Sequence, residues 1–508
     1  MGMTAALLPA PTRPALNAWL VAVVATTAFA TRLVPVLRGH GLEGLSGYDG
    51  PVYYTAAAGL ANGLLPYRDF LLLHPPGIVL ALLPFAAVGR IVGHSEALTA
   101  AGVFWMALGA VNAVLVSRIL RPYGRVAALA GGLFYAVFLP AIRVEESTTL
   151  ETVTSLCLLG AMLLVSRPMT NRMLPTRVFV LAGVLLGLSA GVKIWGVVIG
   201  VAVVVWCFAA AGRRAGIATL LGSALGVTAV CLPFFLSAPS AMWRMVVEDQ
   251  VGRRRVGVPW EVRLRDMVGL SEIHVRHDLT VLVLVLVAVA VGFALAALSR
   301  TGRLAATVFL TSWVLLVTSP SWSVDYASLA APPLAVIVGA AAAQLLIWFR
   351  WRVTQVLVAV GLAAGLVLYA TMSLPNWVVD EPFPGRELGR VLADTPGCVT
   401  SDHPAALIQT RVLQRNLDRG CVLMADLGGY SYDLRPGADL QVGRARNPQW
   451  QAFALDYLRG GDQTMIVRFL NASGYSPQTV SIIDDWPTTA RHGEYTVRQP
   501  EPAGTGRR

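Results

Sequence analysis

The sequence predicts a polytopic α-helical membrane protein with a small α/β domain at its C-terminal end. Hydrophobic residues make up 55% of the 508 residues, charged residues only 14%, and the mean hydropathy is +0.62. A soluble globular chain has no need of so high an apolar content. The net charge of +11 indicates loops that face anionic lipid, since no arginine-rich face with interleaved aromatic residues points to nucleic acid.

Basic turns set the orientation of the spans, because arginine-rich loops stay on the cytoplasmic side of a membrane. These turns carry Arg13, Arg118, Arg121, Arg125, Arg167, Arg172, Arg177, Arg213, Arg214, Arg300, Arg303, Arg350 and Arg352. Placing all of them inside gives about eleven spans, most of them close to the ~20 residues that a crossing helix needs. The spans are residues 17–37, 97–117, 126–142, 148–166, 178–192, 195–211, 215–236, 279–299, 304–318, 333–349 and 353–374. The N-terminus is then cytoplasmic and the C-terminal domain extracytoplasmic.

Residues 77–92 do not fit this count. They are apolar but short and contain Pro84, and if they crossed, the basic turn at 118–125 would lie outside. We interpret them as a helix that lies in or dips into the outer leaflet. A twelfth span is the alternative.

The composition divides the chain at residue 374. Residues 1–374 form the predicted membrane domain, with residues 38–96 as its first extracytoplasmic loop, and residues 375–508 form the α/β domain. Strand-like pieces at 398–402, 421–427 and 464–470 alternate there with helix-like ones. Cys398 and Cys421 are its only cysteines, so they form either a disulfide or two reduced thiols in neighbouring strands.

The densest chemistry of the membrane domain lies in residues 46–77, where Pro and Gly break the chain into short pieces at the membrane surface. This stretch carries Asp49, Arg68, Asp69 and His74 beside Tyr48, Tyr53, Tyr54 and Tyr67. Further along, Lys193 is the only lysine of the chain and interrupts an apolar run. A charge there costs about 2.5–3.5 kcal/mol at a helix centre, so it needs a partner or an interfacial position.

These residues resemble a known family. A first span, an early Asp in a long outside loop, the motif P-Y-x-D-F…H-P-P-G and a lysine that closes a G-L-x-x-G-x-K hairpin are similar to the GT-C superfamily. Its nearest members are polyprenyl-phosphate-dependent glycosyltransferases of the protein mannosyltransferase (family 39) and lipid A aminoarabinose transferase types. The resemblance covers about residues 17–374.

The resemblance implies an inverting transfer of a mannose- or arabinose-type sugar from a polyprenyl phosphate. The acceptor is a cell-envelope glycan, lipid or protein outside the membrane. Asp49 matches the family carboxylate that takes the proton of the attacking hydroxyl. Lys193 matches its phosphate-contacting lysine, and Arg68 and Arg143 are further phosphate candidates. Alternatives are that Asp49 forms a turn, that Lys193 snorkels and that Arg143 pairs with neighbouring glutamates.

Other candidates follow from position. Asp69, His74 and Tyr53 belong to a segment that lines the donor pocket in related enzymes, although His74 can equally cap the leaflet helix. Trp322 and Asp325 lie in an outside turn, where tryptophan can stack on sugar. Glu145 or Glu146 occupies another outside turn.

A metal ion is a further consideration at this turn. Together with Asp49, Glu145 or Glu146 offers oxygen ligands to a divalent cation such as Mg²⁺ or Mn²⁺. Several relatives work without metal, so we assign no metal site.

The loop 248–265 runs against the basic-inside trend. It carries Arg253, Arg254, Arg255 and Trp260. It is an interfacial anchor, or else either a gate over the donor or a binding segment for an anionic acceptor.

Two other functions are compatible with many spans. A transporter or flippase of lipid-linked sugars would place charges near the bilayer middle in paired halves, whereas these charges collect on one face. A sugar-binding scaffold would not need Asp49. The nearly lysine-free composition is typical of GC-rich bacteria, so we expect a bacterial plasma-membrane protein.

Overall fold

A computed structural model describes residues 18–39, 42–45, 47–166, 174–253, 257–273, 276–349, 351–377, 382–434, 442–471 and 473–501. Arg13, Arg167, Arg172, Arg254, Arg255 and Arg350, which enter the predictions above, lie outside these ranges. The N-terminal part is mostly helical. Its helices are α1 (Ala18–Arg38), α2 (Asp49–Ala61), α3 (Gly77–Val92), α4 (His94–Leu120), α5 (Arg125–Val137), α6 (Leu139–Glu145), α7 (Leu150–Val165), α8 (Thr176–Val192), α9 (Trp195–Ala211), α10 (Arg213–Ser237), α11 (Pro239–Trp243), α12 (Asp249–Val251), α13 (Trp260–Met267), α14 (Asp278–Ala296), α15 (Arg300–Thr318), α16 (Ala331–Trp348) and α17 (Arg352–Ser373).

The apolar helices coincide with the predicted spans. Within the described ranges, seven helices are long and apolar enough to cross a membrane, and the pair α5–α6, bent by 58°, makes an eighth. The helices α3, α7, α8 and α9 are apolar but shorter. Each of the eleven predicted spans contains a helix, which confirms the class of multi-pass helical membrane protein. Since α3 and α7 have the same length of 16 residues, length does not separate a leaflet helix from a span.

The hairpin that carries Lys193 is anchored by a glycine seam between α8 and α10. A Cβ added at Gly183, Gly187, Gly222 or Gly226 would approach a backbone oxygen of the facing helix to between 2.1 and 2.4 Å. Such contacts are shorter than real Cβ atoms make, so the two backbones can meet only where side chains are absent. Small residues are the usual means of close helix packing in lipid, where hydrophobicity drives no association.

The C-terminal part is a small α/β unit. Its elements are α18 (Gly385–Leu392), β1 (Val399–Ser401), α19 (Pro404–Gln409), α20 (Leu413–Asp418), α21 (Tyr430–Asp433), α22 (Pro448–Arg459), β2 (Gln463–Ile466), α23 (Pro477–Asp484), β3 (Thr488–His492) and β4 (Tyr495–Arg498). The sheet order is β1-β2-β4-β3, with β1 parallel to β2 and the other pairs antiparallel. The parallel pair places Thr400 opposite Thr464.

The strand predictions succeed in part. The pieces at 398–402 and 464–470 contain β1 and most of β2, whereas the predicted strand at 421–427 is wrong, because these residues form no regular strand. Cys398 and Cys421 form a disulfide with their Cα atoms 5.9 Å apart.

The C-terminal domain packs tightly onto the loop 38–96, the predicted first outside loop. One buried cluster joins Tyr54 and Leu72 of that loop to Val399, Ile408 and Val497 of the domain. A separate cluster around Trp450 forms the interior of the domain itself. Because the two parts share a hydrophobic core, the domain is held in a fixed position on the loop.

Candidate active site

A cavity of about 570 Å³ lies where the predicted outside loops meet the C-terminal domain. Its walls come from the first loop, the turn after α6, the α8–α9 hairpin, the segment after α12, the turn before α16, and the domain. Segments far apart in sequence therefore converge at one end of the helix bundle. The charged groups on its walls are Asp49, Arg143, Glu146, Glu151, Lys193, Arg253, Asp325, Asp426, Arg444 and Arg468.

Asp49 is the first residue of α2, where a carboxylate is favoured by the positive end of the helix dipole. The next residue, Gly50, lets this helix end lie against the turn at Thr148. A Cβ added at Gly50 would lie 2.8 Å from Thr148 Oγ1. The base candidate is therefore held against the turn that also carries Glu146.

The Asp49 side chain is exposed to water in the open space of the cavity, and protein surrounds this space in part. Burial of this kind raises the pKa of Asp49 from 3.8 to about 7, and the nearby charges of Asp426, Asp325 and Glu151 add to the effect. Arg468 acts in the opposite direction. A carboxylate with this pKa is well matched to accepting a proton near neutral pH.

Lys193 is buried and its ammonium donates a hydrogen bond to Glu151, which lies in the first turn of α7. The rings of Trp195 and Tyr326 both lie beside it, each with its centroid 4.7 Å from Nζ, and the two rings meet edge-on at 4.5 Å. A buried lysine was expected to need a partner. That partner is a glutamate at a helix N-terminus. Since the ammonium lies on the cavity wall, it can also meet a ligand.

A second cation shares this end of the cavity. Arg253 Nη1 donates to the Tyr326 hydroxyl at 2.9 Å, and the guanidinium carbon lies 4.7 Å from the ring centroid of Tyr432. Together with Lys193 it faces His74, whose pKa is held well below its ordinary value by burial and then by these two cations. His74 is therefore neutral, and its ring meets Tyr53 edge-on at 5.6 Å.

Another part of the cavity wall contains a chain of paired polar groups. Arg143 Nη2 donates to Glu272 Oε1 at 2.8 Å and its guanidinium lies 3.9 Å from the Trp377 ring centroid. Trp377 Nε1 in turn donates to Glu146 at 2.9 Å. Arg143 thus pairs with Glu272 and not with the glutamates next to it in sequence.

Two further predicted residues complete this wall. The Trp322 indole nitrogen donates to Asp266 at 2.9 Å, and Asp325 accepts from the Ser323 hydroxyl at 3.2 Å. Both side chains line the cavity.

Three predicted residues lie elsewhere. Arg68 and Asp69 pair with each other at 2.8 Å on the surface and do not line the cavity, so their placement speaks against a role in donor binding. Glu145 is fully buried inside the bundle, where it pairs with Arg32 of α1 and also accepts hydrogen bonds from Asn112 and Tyr135. Its placement indicates a structural role instead.

Several residues on the cavity wall were not predicted. Glu151 had a signal in the sequence. It is an acidic residue at the start of an apolar segment, and the only lysine of the chain needed an anionic partner. Tyr326 lies next to the predicted Asp325. Asp426, Arg444 and Arg468 lie in the C-terminal domain and carried no motif.

The described residues contain no group of three or more His, Cys, Asp or Glu side chains arranged to hold a metal ion. Of the metal-ligand candidates, Glu145 is occupied by Arg32, and Glu146 accepts from Trp377. A divalent cation beside Asp49 stays a prediction.

Fold and site define a multi-pass membrane protein with a cavity at one end of its helix bundle, and charged side chains line this cavity. ArnT from Cupriavidus metallidurans in the apo state aligns with a TM-score of 0.60 and 13% identity, over 94% of this chain and 97% of that one. ArnT bound to undecaprenyl phosphate aligns with a TM-score of 0.58 and 14% identity, over the same shares.

The oligosaccharyltransferase AglB from Archaeoglobus fulgidus, in complex with an inhibitory peptide and a dolichol-phosphate, aligns with a TM-score of 0.57 and 12% identity. The alignment covers 88% of this chain and 69% of that one. No protein-family model and no curated protein matches the sequence. The chain thus has the GT-C fold that the resemblance implied.

Proposed function

We propose that this protein is a membrane glycosyltransferase that moves a sugar from a polyprenyl phosphate to an acceptor on the extracytoplasmic side. The observation that carries the proposal is that Asp49 and Lys193, from separate segments, lie on one cavity. A base and a phosphate-binding cation on a shared cavity are what this transfer requires. The fold shared with ArnT and AglB, solved with undecaprenyl phosphate and dolichol-phosphate, supports a lipid phosphate as donor.

The phosphate end of the cavity is the cluster of Lys193, Arg253 and Tyr326. Two cations and a hydroxyl there can bind the phosphate oxygens and stabilise the charge that develops when the sugar leaves. Neutral His74 beside them adds no third charge, but its ring and that of Tyr53 offer a surface for the donor. The pairing of Lys193 with Glu151 holds the ammonium in place without satisfying all of its donors.

In the proposed reaction, Asp49 accepts the proton of an acceptor hydroxyl as its oxygen attacks the anomeric carbon. The bond from that carbon to the phosphate oxygen breaks, and the polyprenyl phosphate leaves with the electron pair. Attack from the side opposite to the phosphate inverts the anomeric centre. The C-terminal domain covers the cavity, which limits access of bulk water that would otherwise hydrolyse the donor.

A transporter is less well supported. The charges of the cavity lie at one end of the bundle, where the predicted outside loops meet, and not at mid-depth between paired halves. The sugar, whether mannose- or arabinose-type, and the acceptor are part of the proposal. We also propose a bacterial plasma membrane with a cytoplasmic N-terminus, which reporter fusions at both ends can test.

The test uses purified full-length protein in nanodiscs with a panel of labelled short-chain polyprenyl-phosphate sugars. We expect one donor to bind and, with water in place of the acceptor hydroxyl, to release polyprenyl phosphate by slow hydrolysis. Asp49→Asn lowers that release by about 10²–10⁴-fold, as expected for loss of a general base, while donor binding persists. Asp69→Asn is the matched control, because this carboxylate lies away from the cavity. Release at the wild-type rate by Asp49→Asn, or no binding of any donor, would overturn the proposal.

A further inference from the structure

The residue before Asp49 is tied to the C-terminal domain. The Tyr48 hydroxyl donates to Asp426 Oδ1 at 2.9 Å and accepts from the backbone N–H of Gly428 at 2.9 Å. The N–H of Gly429 donates to the same carboxylate oxygen at 2.7 Å. The hydroxyl thus has both of its hydrogen-bonding roles satisfied by one loop, and that loop also fixes the carboxylate.

The ring of Tyr48 is held by the same domain. The Arg468 guanidinium carbon lies 4.3 Å from the ring centroid, and the ring of Phe469 meets it edge-on at 5.9 Å. The segment 467–469 is itself fixed by the buried Asp402 carboxylate, which accepts hydrogen bonds from three consecutive backbone N–H groups at 2.7–3.2 Å. Both the ring and the hydroxyl of Tyr48 are therefore constrained.

We propose that the C-terminal domain is a working part of the active site, in which Asp426 positions Asp49 through the Tyr48 hydroxyl. The inference rests on the proposed function, in which Asp49 is the base. Tyr48 is the helix cap that immediately precedes Asp49, so fixing its side chain fixes the backbone from which the base projects. Misplacement of a reacting group by about 1 Å can cost on the order of 100-fold in rate.

Charge gives Asp426 a second effect. The charged groups that face Asp49 from the surrounding elements are Asp426, Asp325, Glu151, Arg468 and Arg253. After burial, Asp426 is the strongest of the influences that raise the pKa of Asp49. Removing this charge therefore moves the ionisation of the base to lower pH, a change that a purely structural contact would not cause.

Three variants separate these effects. Tyr48→Phe removes the hydroxyl, Asp426→Ala removes its acceptor, and Asp426→Asn keeps an acceptor oxygen while removing the charge. We expect the first two to lower kcat at least about tenfold with donor KM unchanged, and the double variant to fall no further, because both break one link. Asp426→Asn restores kcat to within about threefold and shifts the acidic limb of kcat/KM to lower pH.

The control is Glu43→Gln, which breaks an exposed ion pair with Arg386 that joins the same two parts away from the cavity. It should leave kcat unchanged. The inference is overturned, and the proposed function stands, if Asp49→Asn is inactive while Tyr48→Phe and Asp426→Ala keep the wild-type kcat. It is also overturned if Glu43→Gln lowers kcat as much as Tyr48→Phe does. Wild-type transfer by Asp49→Asn would remove the proposed function and this inference together.

Discussion

The pH dependence of transfer is the sharpest consequence of the cavity. With the pKa of Asp49 raised to about 7, lowering the pH to 5 protonates the base almost completely. The ionised fraction is then about 1%, so kcat/KM should fall to about a hundredth of its plateau. With an ordinary pKa of 3.8, about nine tenths of the carboxylates would stay ionised at pH 5 and the rate would hardly change.

The assay measures initial rates of polyprenyl phosphate release with subsaturating donor between pH 5 and 8.5. His74 does not confuse the result, because its pKa lies well below its ordinary value and it stays neutral. Unfolding caused by the protonation of Asp49 does not explain a fall in rate at low pH either. A carboxyl whose folded pKa is raised stabilises the folded protein fully below about pH 3.8, and this contribution is lost progressively as the pH rises from there through about 7. A profile that stays flat down to pH 5 would refute the reasoning.

Three further outcomes follow. Lys193→Met should weaken donor binding at least about tenfold and lower the unfolding temperature, because Glu151 is left buried without its cation. Adding Glu151→Gln should recover the unfolding temperature but not donor affinity, and recovery of both would contradict a phosphate role. Glu145→Gln should destabilise by about 3–5 kcal/mol through the buried charge of Arg32, and the folded fraction should keep the wild-type kcat. Reducing the disulfide of the C-terminal domain, which closes a loop with a sequence separation of 23, should cost about 3 kcal/mol of stability, visible as a lower unfolding temperature.

The membrane helices were predictable because lipid imposes one simple requirement, a long apolar run between polar turns. The C-terminal domain was harder to predict. Residues 421–427 have the composition of a strand, but Met424 and Leu427 fill the interior of the domain and Leu423 packs against Gly59 of the first loop. Their apolar character serves packing between parts that meet only after folding, so no local pattern distinguishes it from that of a strand.

The residues of the candidate site likewise fall into those that the sequence could single out and those that it could not. Lys193 could be singled out because a charge in so apolar a run is unusual, and Asp49 because it matches the carboxylate of the family that the chain resembles; both line the cavity. Asp426 and Arg468 could not, because charged residues are common in their domain and only its docking brings these two to the cavity. Glu145 and Glu146 show that neighbouring positions in the sequence do not predict a shared environment. About 100° of helical rotation separates neighbouring side chains, so one enters the bundle and the other lines the cavity.

The seam between α8 and α10 determines where Lys193, the lysine proposed to bind phosphate, lies. This cation projects from the end of a helix whose depth and tilt are fixed by contacts that consist of bare backbone. Even a methyl group at Gly187 would push the two helices apart and carry the ammonium with them. The proposed catalytic geometry thus depends on four positions without side chains, none of which lines the cavity.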